Sequence, residues 1–300
     1  MDKVLFVLGP TAVGKTEISI KLAKEFNGEI ISSDSVQIYK GLDIGSAKVK
    51  KEERKGVPHH LIDIVSPNES FTAFDMTEAI KEKIKEITLR GHLPIVVGGT
   101  SLYVKSLILG YNYGGVGVDE EYRNTLNNIL KNDGLEKLCE MLKNEDESAF
   151  EKIDKHNPLR VIRALEIAHF KGEKKSAEKT IEPLTFALVL DRQKLYDRIN
   201  KRVEIMLKEG LVEEVKALLE AGVKEDSQSM HAIGYKEVIS FFKGEVSYEK
   251  MVDLIKQHSR NYAKRQLTFL RGMENVNYVD VEDNDSLNNM TEKIKRWLNG

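Results

Sequence analysis

The sequence predicts an α/β protein: a mainly parallel sheet with helices on both faces, carrying an all-helical insertion. Three observations predict it. Short apolar runs alternate with amphipathic segments through the first third of the chain, as strands joined by crossover helices do. The run VLFVL (4–8) leads directly into GPTAVGKT (9–16), a strand–loop–helix signature. Past a glycine-rich stretch after residue 109 the pattern turns to charged helical segments, and TFALVL (185–190) then brings a strand back.

Taken in order, VLFVL reads as a buried strand. A helix from Thr16 to Phe26 places Ile18, Leu22 and Phe26 on one face and stops at Asn27-Gly28. EIISSD (29–34) is a second strand and PIVVGG (94–99) a third. Between them, Thr72 with Asp75 three positions on makes a capping box for a helix to about Leu89. No apolar run ends in an Asp-rich motif; LIDIV (61–65), with Asp63, is the nearest candidate for a Walker B partner. His59 and His60 suit a strand edge, since no Cys or carboxylate cluster has metal-ligand spacing with them. In the insertion, Tyr122, Leu126, Ile129 and Leu130 form one apolar stripe, and Leu135, Leu138 and Leu142 another after a break at Asp133-Gly134. Asn157-Pro158 opens a further helix as N-cap and first helical residue. Beyond residue 190 the chain reads as mostly helical. The expected division is 1–113 for the first part of the core, 114–175 for the insertion and 176–300 for the rest of the core.

Composition bounds the function. With 41% hydrophobic and 31% charged residues and six prolines in 300, the chain builds a globular core. A net charge of −2 provides no global field for nucleic acid, so any polyanion site is a local patch. The single cysteine, Cys139, excludes an intramolecular disulfide, fits a reducing compartment and reads as a small packed hydrophobe. No apolar stretch approaches the ~20 residues of a membrane helix, and the opening apolar run is short for a signal peptide. A cytoplasmic protein without membrane contact is expected.

The chemistry starts at G-x-x-x-x-G-K-[ST], here Gly9, Pro10, Thr11, Ala12, Val13, Gly14, Lys15 and Thr16. Loop amides and a helix N-terminus converge on an anion there, Lys15 neutralises phosphate oxygens and the Thr16 hydroxyl ligates Mg2+. The core is thus P-loop NTPase-like, with a loop shared by ATP-binding and other nucleotide-binding proteins, specific only to a di- or triphosphate. In SSDSVQIYKGLDIGSAK (32–48), Asp34 ends the second strand and faces the same crevice. It could cap the following turn, hold magnesium through water or accept a proton. Ser35, Val36 and Gln37 offer polar groups to a nucleobase edge. Gly98 and Gly99 permit close approach, and Thr100 is either a helix N-cap or a hydroxyl in the crevice. In KQHSRNYAKRQLTFLR (256–271), five basic residues occur without an acid; Lys256, Arg260 and Lys264 make one helical stripe, with Arg265 beside it. Such a stripe is a phosphate track or a solvated face. Arg160 and Arg163 form a second basic pair.

These stretches, with PHHLIDI (58–64), VGGTSLY (97–103), NPLRVIRALEI (157–167), DRQKLYDRINKRVEIM (191–206) and HAIGYKE (231–237), resemble the tRNA dimethylallyltransferases over nearly the whole chain. Val13 departs from that family's small polar residue, with its side chain expected to point away from the phosphates. The resemblance implies transfer of a five-carbon group from dimethylallyl diphosphate to the exocyclic N6 amine of adenosine 37, beside the tRNA anticodon. It implies Asp34 as base, Thr11 and Thr100 as further active-site residues, and Arg202 gripping the diphosphate, with Arg198 one turn away. By the same resemblance Asp34, Ser35, Val36, Gln37 and Thr100 meet the adenosine. Arg123 and the segment Leu159, Arg160, Val161, Ile162 and Arg163 contact RNA, as do Arg260, Lys264 and Arg265 of the basic helix, and the insertion clasps the anticodon stem. A monomer is expected. Three other readings stay open on the residues alone: a small-molecule kinase, a nucleotide-gated RNA-binding switch, and a transferase acting on free adenine nucleotides.

Overall fold

β1 (Asp2–Leu8) is apolar almost throughout because it is covered on both faces; Val4 to Leu8 are at most 1% exposed. The computed structural model describes residues 1–109, 119–170 and 180–300. After β1 come α1 (Lys15–Glu25), β2 (Gly28–Ser32), β3 (His59–His60), α2 (Ala73–Leu89), β4 (Leu93–Gly98) and α3 (Ser101–Leu109). Then follow α4 (Glu120–Glu145), α5 (Glu147–Lys152) and α6 (Pro158–His169). The chain continues through β5 (Ile181–Val189), α7 (Arg192–Glu209), α8 (Leu211–Glu220), α9 (Tyr235–Phe242), α10 (Tyr248–Arg271), β6 (Val276–Asp280) and α11 (Ser286–Asn299).

All six strands run parallel in the order β3-β2-β4-β1-β5-β6. Alternate side chains divide the core, as a period of two requires. Val4, Phe6, Leu8, Ile31 and Val96 join one cluster with Met76, Ile80, Ile84 and Ile87 of α2. Leu5, Val7, Ile30 and Ile95 join the other with Ile20 of α1 and Met290 and Ile294 of α11. Helices therefore cover both faces. α7 and α10 contribute to both clusters, as helices do that cross an end of the sheet.

The chain divides into two compact units, one of residues 1–108 with 179–300 and one of 109–178. The expected boundaries, residues 114 and 175, lie outside the described residues. In the smaller unit the described residues are helical around a separate core of Leu126, Leu138, Leu142, Val161, Ile162 and Leu165. α4 breaks at Gly134, whose φ of 86° only glycine adopts freely, and Asn157 caps α6 with Pro158 in its first turn. Cys139 packs partly buried there, and burial raises its thiol pKa.

One reading is corrected. The run LIDIV is no strand: Leu61 and Asp63 have φ of 60° and 58°, and Asp63 pairs with Lys48 at 2.6 Å. Asp63 does not line the cavity described below and is paired with Lys48 instead, which speaks against it as a Walker B partner. The C-terminal third is mostly helical, as expected, with β6 as an added edge strand beside β5. His59 and His60 form the opposite edge strand, and His60 Nε2 lies 2.6 Å from buried Glu29.

Candidate active site

The chain leaves β1 for β2 across β4, so strand order reverses direction there. In a doubly wound sheet, that is where a crevice opens beyond the strands' carboxyl ends. A cavity of about 590 Å³ occupies the place.

One wall is the loop after β1. A Cβ on Gly9 would come within 2.9 Å of Val13 and 3.1 Å of the Leu188 carbonyl. Gly14 stands at φ 105° and Ala12 at 64°, the left-handed geometry that turns loop amides toward an anion. Val13 is buried in the core, pointing away from the cavity. The Lys15 ammonium donates to the Gly9 and Pro10 carbonyls at 3.0 and 2.8 Å. Burial, then repulsion from Arg202, lowers its pKa to about 8, against an opposing pull from Asp34. Arg202, on α7, donates to the Thr11 hydroxyl at 3.2 Å, and burial lowers its pKa as well. Arg198 is exposed and does not line the cavity; Arg202 is the arginine that reaches the loop. Among the described residues neither Lys15 nor Arg202 makes an ion pair with a carboxylate.

Asp34 lines the same cavity. Its Oδ1 accepts the Val36 and Gln37 N–H groups at 2.8 and 3.2 Å. The carboxylate therefore does cap the following turn, and with one oxygen, leaving Oδ2 for other work. Ser35, Val36 and Gln37 line the cavity with it. The Gln37 carboxamide accepts from Ser32 Oγ at 3.2 Å and donates to the Ser46 and Ala47 carbonyls at 3.4 and 3.5 Å.

The Thr100 hydroxyl is buried with no hydrogen-bond partner of good geometry. Tyr262, which lines the cavity, has its own hydroxyl beside Thr100 and Gln266; burial raises that phenol's pKa. Gly98 and Gly99 are required by close approach. A Cβ would stand 2.1 Å from Ser33 Oγ at the first and 2.0 Å from Gln266 Nε2 at the second. Gln266, 5% exposed on α10, accepts the Thr11 N–H at 2.9 Å and so ties that helix to the loop. Val36, Ile199, Val203, Met206, Ile233 and Ile255 supply the cavity's apolar lining, three of them from α7, the helix that carries Arg202.

The basic stripe of α10 turns in part toward α7: Lys256 pairs with Glu204 at 2.7 Å and Arg260 donates to Asn200 at 2.6 Å. Lys264 and Arg265 are exposed, and Arg265 also lines the cavity. In the smaller unit Arg123 grips buried Glu166 through two bonds of 2.6 and 2.8 Å, and Arg163 reaches the same carboxylate at 2.8 Å. Val161 and Ile162 are 0% and 3% exposed; their side chains are core and not available to RNA. Leu159 and Arg160 are exposed.

Sequence reasoning does not single out Gln266, Met206, Ile233 or Tyr262 as site residues. All four lie within motifs quoted above, but their convergence with residues about 9–37 is a property of the fold.

A family model described as IPP transferase matches residues 37–273. A tRNA dimethylallyltransferase from Bacillus anthracis is 46% identical over 100% of this chain and 96% of its own length. Among solved structures, a tRNA isopentenylpyrophosphate transferase from Bacillus halodurans superposes with a TM-score of 0.75 at 43% identity, covering 98% of this chain and 96% of that one. A eukaryotic dimethylallyltransferase described as acting on tRNA superposes at 0.80 with 27% identity, over 98% of this chain and 78% of that one.

Proposed function

The chain belongs to the IPP transferase family, and we propose that it moves the dimethylallyl group of dimethylallyl diphosphate onto N6 of adenosine 37 in tRNA, releasing diphosphate. It is a prenyl-transferring enzyme of tRNA modification. The observation that carries the donor assignment is a pair of cations, Lys15 and Arg202, without carboxylate ion pairs among the described residues, in a cavity that also has an apolar lining. A polyphosphate head satisfies the first, and a branched five-carbon tail fills the second.

The N6 lone pair is delocalised into the adenine ring, so transfer needs charge stabilisation on the departing diphosphate and a base for the amine proton. Lys15, Arg202 and the loop amides supply the first. Asp34 supplies the second through Oδ2, since Oδ1 is engaged by the turn. Thr100 does not itself line the cavity; its buried hydroxyl lies beside the phenol of Tyr262, which does. The adenosine leaves its stack to reach this depth, where Ser35, Val36 and Gln37 meet it.

Magnesium fits the donors present. Thr16 offers one hydroxyl at the start of α1 and shares a cavity wall with Asp34, and Mg2+ beside phosphates takes few protein ligands. It would neutralise diphosphate charge when bound. RNA phosphates would be met by Lys264 and Arg265 on α10 and by Arg160 in the helical unit, with exposed Leu159 beside it. No helix among the described residues is long and apolar enough to cross a membrane; the reading is of a monomeric enzyme in the cytoplasm, where tRNA is.

Mass spectrometry of an unmodified tRNA transcript after incubation with the protein, magnesium and dimethylallyl diphosphate tests the reading. One dimethylallyl group on adenosine 37 is expected. No modification, or phosphate transfer from ATP instead, would overturn it.

A further inference from the structure

Residues 43–45 turn their backbone N–H groups onto a single carboxylate. Glu214 on α8 accepts from Asp43 and Ile44 through Oε2 at 3.0 and 2.7 Å, and from Gly45 through Oε1 at 3.1 Å. The same Oε1 accepts the hydroxyl of Tyr235, a fully buried phenol, at 2.7 Å. A Cβ on Gly45 would stand 2.4 Å from that ring, so the loop passes the phenol with no room for a side chain. Lys48 closes the other end: its side chain is 6% exposed, pairs with Asp43 and Asp63 at 2.6 Å, and donates to the Tyr39 carbonyl. Between these anchors Gly45, Ser46 and Ala47 line the cavity, and the last two hold the Gln37 carboxamide through their carbonyls. Neither Glu214 nor Tyr235 lines the cavity itself.

We propose that Glu214 and Tyr235 are positioning residues for the acceptor half of the site, acting on the 43–47 wall and, through it, on Gln37. The inference rests on the reading that the cavity takes an adenosine beside the donor. Its physical basis is a separation of anchors. The phosphate loop is held by Gln266 and by the Lys15 bonds to its own carbonyls, whereas the 43–47 wall is held by Glu214. A carboxylate that gathers three N–H groups fixes a turn that the backbone alone leaves open. Loss of that carboxylate should disturb the acceptor and spare the donor.

Glu214→Gln keeps the shape but turns one accepting oxygen into a donor; Tyr235→Phe removes one hydroxyl. Steady-state transfer to an unmodified tRNA transcript at saturating dimethylallyl diphosphate is measured beside the Kd of inorganic diphosphate. For Glu214→Gln, kcat/KM for tRNA should fall roughly ten- to a hundredfold, and for Tyr235→Phe by a smaller factor. The diphosphate Kd should stay within about twofold of wild type in both. In a Gln37→Ala background, Glu214→Gln should cost little more, because the two act in one line. A merely structural role would weaken diphosphate binding together with kcat/KM and add to the Gln37→Ala loss, and that outcome overturns the inference. So does an unchanged kcat/KM for tRNA in both variants, which leaves the proposed reaction standing. Should Glu214→Gln fail to fold, Tyr235→Phe decides between the same outcomes alone. A wild type that transfers nothing to tRNA removes the reading and this inference together.

Discussion

Arginine is used in opposite ways in the two units. In the helical unit, Arg123 and Arg163 close on Glu166, a fully buried carboxylate shared between the two cations. In the α/β unit, Arg202 and Lys15 converge on the phosphate loop, where Asp34 is the acid that offsets them, without an ion pair to either. A cation closed on its carboxylate is a finished structural element; a converging pair of cations without one is a site for an anion. The residue types are the same, and only the partner decides which role each plays.

The contrast can be broken at either end. The largest effect is expected at Asp34. Asp34→Asn keeps an oxygen for the Val36 and Gln37 N–H groups but removes the charge and the basicity. Turnover should fall by about two to four decades, while diphosphate binding holds or tightens because the opposing charge of Asp34 is gone. Unchanged turnover would remove Asp34 as the base. Next is the paired cluster. Glu166→Ala removes the shared acceptor of two partly exposed arginines and should cost about 1–3 kcal/mol of stability, with diphosphate affinity unaltered; denaturant titration of the variant checks this. Arg202→Met should weaken diphosphate binding by roughly ten- to a hundredfold.

The smallest effect is the most specific to an unpaired cation. Lys15→Met should raise stability without ligand by roughly 0.5–2 kcal/mol while abolishing donor use, the usual exchange at a functional site. The sign against pH follows from the lowered value. The native lysine has a pKa near 8 where the unfolded one has 10.5, so the unfolded chain binds the extra proton between those values. Below pH 8 the wild type carries the whole cost of the buried charge, and the cost fades as pH rises toward 10.5. The stability gap between variant and wild type should narrow over that window in denaturant titrations. A constant gap would place the destabilisation elsewhere than in the charge.

Much of this is legible in the sequence, and the reasons differ by region. VLFVL announces itself because a strand buried on both faces is apolar throughout. Thr72 with Asp75, Asn157 with Pro158, and Gly134 are readable because caps and breaks are local chemistry. β6 is not, since its side chains are half-buried or exposed and its pattern correspondingly faint. LIDIV resembles a strand in composition, but its backbone turns left-handed at two residues, which no apolar count reveals. The basic stripe does lie on one helix, but its partners Glu204 and Asn200 lie on another. Glu214 and Gln266 act on backbone N–H groups far away in the chain; a main-chain acceptor leaves no mark on the sequence of the segment it holds.

The central claim is that the cation pair and the apolar wall form one prenyl diphosphate site, and a paired titration tests it most directly. Dimethylallyl diphosphate and inorganic diphosphate are each titrated by calorimetry into the wild type and Arg202→Met at the same magnesium concentration. The prenyl compound should bind roughly tenfold or more tightly than diphosphate in both proteins, from burial of its tail, and both ligands should lose the same factor in the variant. Equal affinities for the two ligands, or a variant that binds both as the wild type does, would contradict the account.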